Sequence, residues 1–484
     1  MKLRELLQDL QVREIKADAE LEIGGISYDS RKTAPGDLFV AIRGFEADGH
    51  RFIPAAAEKG AAAVLCETPP AHEVPYVLVD DSRLALALVS RAFFGDPSSE
   101  MTVIGLTGTN GKTTTSFLIK HLLEDRLHAK VGLIGTNGIM IGDEFLDSER
   151  TTPESYELQM LFRRMADAGC SHVVMEVSSH SLALKRVAGI RFKTGLFTNL
   201  SQDHLDFHET MEAYAAAKRL LFRQCEQGWI NADDAWADFM REEASCSFRC
   251  FSAEKNEADL VAKDVRLSAE GVRFAAVCGP ELALIKLAIP GKFSVYNALC
   301  AMAAGLSLGL PLSDCAAAMS GAKGVKGRVE PVPTDGDYAL LLDYAHTPDA
   351  LENVLKTLRA VTKGRLIVVF GCGGDRDRAK RPLMGAIAEN NADLCVVTSD
   401  NPRTEDPEEI IREILGGMKK KRGGIKVITD RIEAIHWAID KARPGDVILL
   451  AGKGHEDYQI VGHEKHHMDE REIVAEYLKQ RKKI

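Results

Sequence analysis

The sequence predicts an α/β protein of three domains: a central P-loop-type domain, an α/β domain before it and a Rossmann-like domain after it. Three observations carry this expectation. The chain has 484 residues, more than one hydrophobic core usually serves. A glycine-rich turn, GLTGTNGKTTT at 105–115, separates an apolar, β-prone run from a helical pattern. From about residue 330 apolar strands alternate with amphipathic segments, the pattern of a parallel sheet wrapped by helices. The expected domains are 1–98, 99–329 and 330–484.

In the first of these, GDLFVAI and AAAVLCE read as strands, while RFIPAAAEKG and RLALALVSRAFFG read as helices; GDPSSEM at 95–101 reads as a linker. The opening MKLRELLQDLQVREIK mixes charge with helically spaced leucine and has no continuous apolar core, so no signal peptide is expected. No apolar run approaches the roughly 18 residues of a membrane span. The ten cysteines are scattered, and the close pair Cys246 and Cys250 has no second Cys/His pair to complete a zinc site. A cytoplasmic protein with reduced thiols and no membrane insertion is expected. A formal charge of −10 and the absence of a basic block argue against nucleic acid as a partner.

In the central domain Met101 to Leu106 forms the apolar run, and Phe117, Ile119, Leu122 and Leu123 give the next segment helical spacing. Gly108 and Gly111 let the backbone approach an anion, the helix start supplies unpaired N–H groups, Lys112 reaches the terminal phosphates and the Thr113 hydroxyl suits Mg²⁺. A nucleoside triphosphate is therefore the expected ligand. The strict P-loop pattern is not met, because Leu106 stands at its first glycine. Further strand-like runs are VGLIG, HVVMEV and TGLFTNL. Glu176 ends one of them, where a carboxylate can hold Mg²⁺ beside the phosphate loop, and Ser178, Ser179 and His180 follow it. NLSQDHLDFH at 199–208 gathers Asp203, His204, Asp206 and His208.

In the last domain nearly every unusual polar cluster follows a strand. Asp343 and His346 follow YALLL, Arg376 follows RLIVVF, Asp400, Asn401 and Arg403 follow ADLCVVTS, and Lys453, His455 and Glu456 follow DVILLA. Ligands of open α/β sheets bind at the carboxyl ends of strands, so these residues are expected along one rim.

Taken together, TGTNGKTT at 107–114, TTP at 151–153, EVSSH at 176–180, NLSQDHLDFH, YAAAKRLLF at 214–222, GR at 327–328, DYAHTPD at 343–349, GCGGDRDRAKRP at 371–382, DNPR at 400–403 and AGKGHEDYQ at 451–459 resemble the Mur ligase family, the ATP-dependent amide-forming enzymes of the bacterial cell wall. DSRKTAPGDLFVAIRG at 29–44 resembles the uridine-nucleotide domain of its diaminopimelate- or lysine-adding members. The resemblance implies a central ATP-binding domain between a UDP-binding domain and a Rossmann-like domain. It also implies addition of meso-2,6-diaminopimelate to the D-glutamate γ-carboxylate of a UDP-N-acetylmuramoyl dipeptide, with ATP and Mg²⁺ as cofactors.

Carried over by motif, Ser30 binds the UDP sugar, and Thr151, Thr152, Ser178 and Arg186 hold the dipeptide. Gly108, Thr109, Asn110, Gly111, Lys112, Thr113 and Thr114 bind ATP with Asn297, Arg328 and Asp343. Arg376, Asp400, Asn401, Pro402, Arg403, Gly452 and Glu456 hold the incoming amino acid. Lys112, Glu176, His204 and Lys218 are the implied catalytic group, with Thr113, Glu176, His204 and a carbamate on Lys218 as metal ligands. By itself Lys218 reads as a solvated helix residue. Two positions depart from the pattern: Leu184 stands where a polar contact is expected, and Ser294 where asparagine is usual.

A carboxylate does not accept an amine directly, so acyl-phosphate formation is the implied route, and EVSSH lacks the G-x-S-x-G elbow of a hydrolase. Arg403 offers a planar fork for the second carboxylate of diaminopimelate; the alternative is a turn arginine paired with Glu405 or Asp406. Rival readings are the lysine-adding ligase of the same family, a folylpolyglutamate synthetase, which lacks the DSR…PGDLFVA unit, and a nucleotide-dependent switch, which needs no amino-acid rim.

Overall fold

The computed structural model describes residues 1–44, 47–148, 150–268, 270–322, 324–419 and 424–481; the Asp206 side chain lies outside what is described. The chain forms two compact units, one of Met1–Leu260 with Cys300–Pro311, the other of Val261–Leu299 with Leu312–Ile484.

The first unit holds a five-stranded sheet in the order Glu14–Lys16, Tyr76–Leu78, Ala63–Cys66, Asp37–Val40, Gly25–Ser27, parallel except for its first pair. Helix Ser82–Phe93, capped by Asp81 on the Leu84 N–H, covers it with Ala85, Leu86 and Val89. The expected linker at 95–101 is not extended chain: Pro97–Glu100 forms a 3₁₀ turn with Pro97 and Ser98 buried, because Pro97 pre-sets the turn dihedral.

The larger sheet of this unit runs Ser247–Ser252, Cys225–Asn231, Phe192–Phe197, Thr102–Thr107, His172–Glu176, Val131–Gly135, and these six neighbours are all parallel. A meander of Gly138–Ile141 and Glu144–Leu146 adds two antiparallel strands. Strand Thr102–Thr107 is buried on both faces from Val103 onward, which explains its unbroken apolar run. Its carboxyl end, and those of His172–Glu176 and Phe192–Phe197, carry the conspicuous polar motifs of the central sequence.

The second unit contains three antiparallel strands, Leu260–Ser268, Gly271–Cys278 and Glu281–Leu287, that the residue pattern did not announce. Its main sheet has the order Glu330–Val332, Ala339–Asp343, Val447–Ala451, Leu366–Phe370, Leu394–Val397, Gly424–Val427, parallel after its first pair. Leu341, Val368, Leu449 and Val397 face one helical layer, and Leu340, Ile367, Ile448 and Val396 face the other. No helix among the described residues is long and apolar enough to cross a membrane.

Helices Lys380–Asn391 and Pro407–Gly416 approach so closely that a Cβ added at Gly385 would lie 2.2 Å from the Ile414 carbonyl oxygen. Backbone cannot yield as a side-chain tip can, so Gly385→Ala must push the helices apart. The expected cost is about 1–3 kcal/mol, read as a lower urea midpoint for the variant.

Candidate active site

The phosphate-type loop links strand Thr102–Thr107 to helix Lys112–Leu127. Gly108 adopts φ 148°, and a Cβ there would stand 2.0 Å from Thr198 Oγ1, so only glycine lets segment 198–201 close on the loop. That segment grips it from the adjoining strand end. Asn199 accepts the Thr109 N–H on its carbonyl (2.8 Å) and the Asn110 N–H on Oδ1 (3.0 Å), while Thr198 Oγ1 donates to the Asn110 carbonyl (2.8 Å). Gly111, in the left-handed region, opens the helix, and Thr113 and Thr114 lie buried in its first turn. Asn199 and Ser201, seen in sequence only as part of a polar run, are thus the loop's scaffold.

Two lysines converge on this loop. Lys112 Nζ donates to the carbonyls of Gly108 (3.0 Å) and Thr109 (2.9 Å), and Lys218 Nζ donates to the same Gly108 oxygen (2.8 Å). Lys218, on helix Met211–Arg219, is 2% exposed and lies 4.4 Å from the Tyr214 ring centroid. Burial, and then the neighbouring charge of Lys112, push its pKa well below the ordinary lysine value, with Asp203 opposing. The Tyr214 hydroxyl meets Thr109 Oγ1 at 3.2 Å, and burial raises its pKa to about 12.

Glu176 is fully buried at the end of its strand. Its Oε1 accepts the Thr136 N–H (3.1 Å) and its Oε2 the Thr136 hydroxyl (3.0 Å). Thr152 Oγ1 donates to the Glu176 carbonyl (2.8 Å) and accepts the Ser178 N–H (3.2 Å); Ser178 in turn caps helix Ser179–Ala183. Arg186 reaches the Thr152 carbonyl (3.3 Å) while its Nε pairs with Glu154 (3.1 Å). Thr152, Glu176, Ser178 and Arg186 are therefore one hydrogen-bonded group, joined to Thr151 through Thr136. Ser30 is half-buried in the turn after strand Gly25–Ser27.

His204 has φ 53° and a half-exposed ring, with Nε2 3.4 Å from Asp203 and its centroid 4.8 Å from that of His180. Among the described residues no three His, Cys, Asp or Glu side chains gather as a metal-binding group. A metal at Glu176 and His204 needs further oxygen donors, and the Thr113 hydroxyl and a modified Lys218 are of that chemistry.

In the second unit the rim expected from the sequence lies at the carboxyl ends of four adjacent parallel strands. Asp343 accepts the N–H groups of Val329 (2.8 Å) and Ala345 (2.9 Å); burial raises its pKa against the opposing charge of Arg328. The Arg328 guanidinium lies 5.4 Å over the Tyr344 ring, and Asn297 is buried in helix Lys292–Ser307. Lys453, wholly buried, donates to Asn401 Oδ1 (2.9 Å), the Tyr458 carbonyl (2.6 Å) and Glu456 (3.2 Å), and Asn401 Nδ2 donates to Glu456 (2.9 Å). Burial alone would raise the Asp400 pKa, but Lys453 and Arg431 outweigh it and hold the carboxyl low. Gly452, at φ 114°, passes beside it: a Cβ there would meet Asp400 Oδ2 at 2.6 Å.

Arg403, at φ 51°, donates to the Gly374 carbonyl (2.8 Å). It does not take up the turn pairing: Glu405 is bound by the fully buried Arg381 (2.8 Å) and Asp406 caps helix Pro407–Gly416. Arg381 also bonds Glu413 (2.7 Å) and the Gly373 carbonyl (3.2 Å), lacing the loops that carry Arg376 and Arg403. Arg376 itself is exposed, and Pro402 accepts the Glu405 N–H at 3.1 Å.

Three family models match the chain: the Mur ligase family catalytic domain over 22–96, the Mur ligase middle domain over 106–305 and the Mur ligase glutamate ligase domain over 327–454. A UDP-N-acetylmuramoyl-L-alanyl-D-glutamate--2,6-diaminopimelate ligase of Caldanaerobacter subterraneus subsp. tengcongensis is 47% identical over the whole of both chains. The chain belongs to the Mur ligase family. A Clostridium botulinum protein of the same name is 46% identical over 99% of this chain and all of its own. A solved structure of a ligase so named superposes with TM-score 0.76 at 34% identity, covering 100% of this chain and 99% of that one. The architecture is accordingly the three-domain α/β arrangement of Mur ligases.

In this Mur ligase the depressed Lys218 pKa has a sign that can be checked. The unfolded amine holds its proton up to about pH 10.4, whereas the folded one releases it at a lower pH. Between those two values the unfolded state binds more protons, so stability rises with pH and is fully recovered above the unfolded value. Lys218→Met should therefore raise the urea midpoint at pH 7, with the gap to wild type closing above about pH 10. A variant less stable than wild type at pH 7 would contradict this.

Proposed function

We propose that this chain is an ATP-dependent ligase joining meso-2,6-diaminopimelate to the D-glutamate γ-carboxylate of UDP-N-acetylmuramoyl-L-alanyl-D-glutamate, in peptidoglycan synthesis. The names of its full-length relatives supply the substrates. The observation that carries the chemistry is the glycine loop at a strand end with two lysine nitrogens on one carbonyl, 3.0 and 2.8 Å away. On this reading the domains divide at 98/99 and 329/330, the protein acts in the cytoplasm on small molecules, and nucleic acid is not a partner.

Gly108, Thr109, Asn110, Gly111, Lys112, Thr113 and Thr114 hold the triphosphate, with Asn297, Arg328 and Asp343 as further ATP contacts. Ser30 meets the UDP sugar, and Thr151, Thr152, Ser178 and Arg186 meet the dipeptide. A γ-carboxylate oxygen attacks the γ-phosphorus, the bridging P–O bond breaks, and ADP leaves. The amine of the incoming amino acid then attacks the acyl carbon, loses a proton and expels phosphate. Lys112 steadies the phosphoryl oxygens, and the Asn199 bonds to the Thr109 and Asn110 N–H groups hold the loop in shape around them. A neutral Lys218 amine suits reaction with CO₂, which gives a carbamate and a released proton. Thr113, Glu176, His204 and that carbamate are the oxygen and nitrogen donors that would hold Mg²⁺, whose charge offsets that of the phosphates.

Arg376, Asp400, Asn401, Pro402, Arg403, Gly452 and Glu456 form the amino-acid subsite. Lys453 and Arg381 beneath them keep its loops in shape, which favours a fixed cation at Arg403 for the second carboxylate.

Ligation of the UDP-muramoyl dipeptide should proceed with meso-diaminopimelate in clear preference to L-lysine. Equal use of the two, or no product with either, would overturn the reading. Lys112→Ala should abolish turnover while leaving the fold intact by circular dichroism. Arg403→Ala should raise the KM for diaminopimelate by more than about tenfold with the KM for ATP nearly unchanged, since a desolvated charge contact is lost at one substrate only.

A further inference from the structure

The turn between strands Val131–Gly135 and Gly138–Ile141 sets Thr136 at the carboxyl end of the neighbouring parallel strand His172–Glu176. Thr136 holds both oxygens of Glu176, one with its N–H (3.1 Å) and the other with its hydroxyl (3.0 Å). Its hydroxyl oxygen also lies 3.0 Å from Thr151 Oγ1. Distance alone leaves the donor in that second contact open, but proton counting decides it. A threonine hydroxyl has one proton, and a carboxylate can only accept. The Thr136 proton is directed to Glu176, so Thr151 must donate to Thr136. The chain of donation runs Thr151 to Thr136 to Glu176, and Thr151 is left with lone pairs alone for anything else it meets.

We infer that Thr136 is a positioning residue that fixes the Glu176 carboxylate and turns Thr151 into an obligate hydrogen-bond acceptor, so that Thr151 recognises an amide N–H of the substrate's peptide stem and not one of its carboxylates. This rests on the proposed assignment of Thr151 to the dipeptide site. A carboxylate facing Thr151 would set lone pair against lone pair, whereas the peptide stem carries two amide N–H groups, at the lactyl–alanyl and alanyl–glutamyl links. Arg186, which pairs with Glu154 through Nε and reaches the Thr152 carbonyl through a terminal nitrogen, is the cation joined to this group and the one whose remaining donors suit a carboxylate. The division of labour follows: hydroxyl for N–H, guanidinium for anion.

The test is binding, measured by calorimetry without ATP or Mg²⁺, of the UDP-muramoyl dipeptide and of two analogues in which one or the other peptide N–H is replaced by an ester oxygen. One ester should bind wild type about tenfold or more weakly than the amide, because an acceptor is left facing an acceptor. In Thr136→Val, which removes the relay but keeps the backbone N–H to Glu176, Thr151 can rotate its proton outward, and the amide/ester ratio should fall below about threefold. Thr136→Ser should restore the wild-type ratio, which a merely structural role for Thr136 would not require. Equal binding of amide and both esters to wild type overturns the inference whatever the variants do, and so does an undiminished ratio in Thr136→Val. Wild type that binds no UDP-muramoyl dipeptide at all overturns the underlying functional reading together with it.

Discussion

Two lysine nitrogens share the carbonyl oxygen of Gly108, and the glycine loop is shaped around that crowding. In water the repulsion would be minor; with Lys218 2% exposed it is not. The arrangement is eased if one of the two gives up its charge, and burial selects Lys218. Burial lowers the Lys218 pKa, which separates its chemistry from that of Lys112 although both touch one atom. Tyr214, one helical turn earlier, links this to the loop: its ring lies beside Lys218 and its hydroxyl meets Thr109.

The same economy of atoms recurs around Glu176 and beneath the second unit's rim. Thr151 meets Thr136, and in the second unit buried cations hold Asn401, through Lys453, and the Arg403 loop, through Arg381. Buried ions are not by themselves a source of stability, since desolvation opposes the attraction. Their effect is geometric. Arg381 bonds Glu405, Glu413 and the Gly373 carbonyl, so two loops that belong to different strands share one fixed point.

The sheet strands and the phosphate-type loop were legible because unbroken apolar runs and a glycine-lysine turn leave local marks. So was the rim, since strand ends can be counted along the sequence. The strands at 260–287 were not: Leu282 and Leu284 are exposed and the alternation is weak, so their pairing is set by tertiary context. Lys218, Arg381 and Lys453 illustrate a harder limit. Each is a basic residue in an ordinary helix or loop pattern, and nothing local distinguishes a solvated cation from one with no exposure. Thr136 was missed for a related reason, because it matters only through a strand neighbour that is forty residues away in the chain.

The Arg381 knot governs which positions of this rim can change over time. Because the backbone course of 371–376 and 401–405 is tied from below by a residue that faces no solvent, an exposed side chain such as Arg376 is free to vary without the loops losing their path. A substitution at the exposed 376 changes the rim's surface while its framework stays put, whereas one at 403 also removes the bond to the Gly374 carbonyl. A lineage could in this way vary the rim's surface by single steps, each leaving a folded protein, whereas a change at 381 would forfeit both loops together.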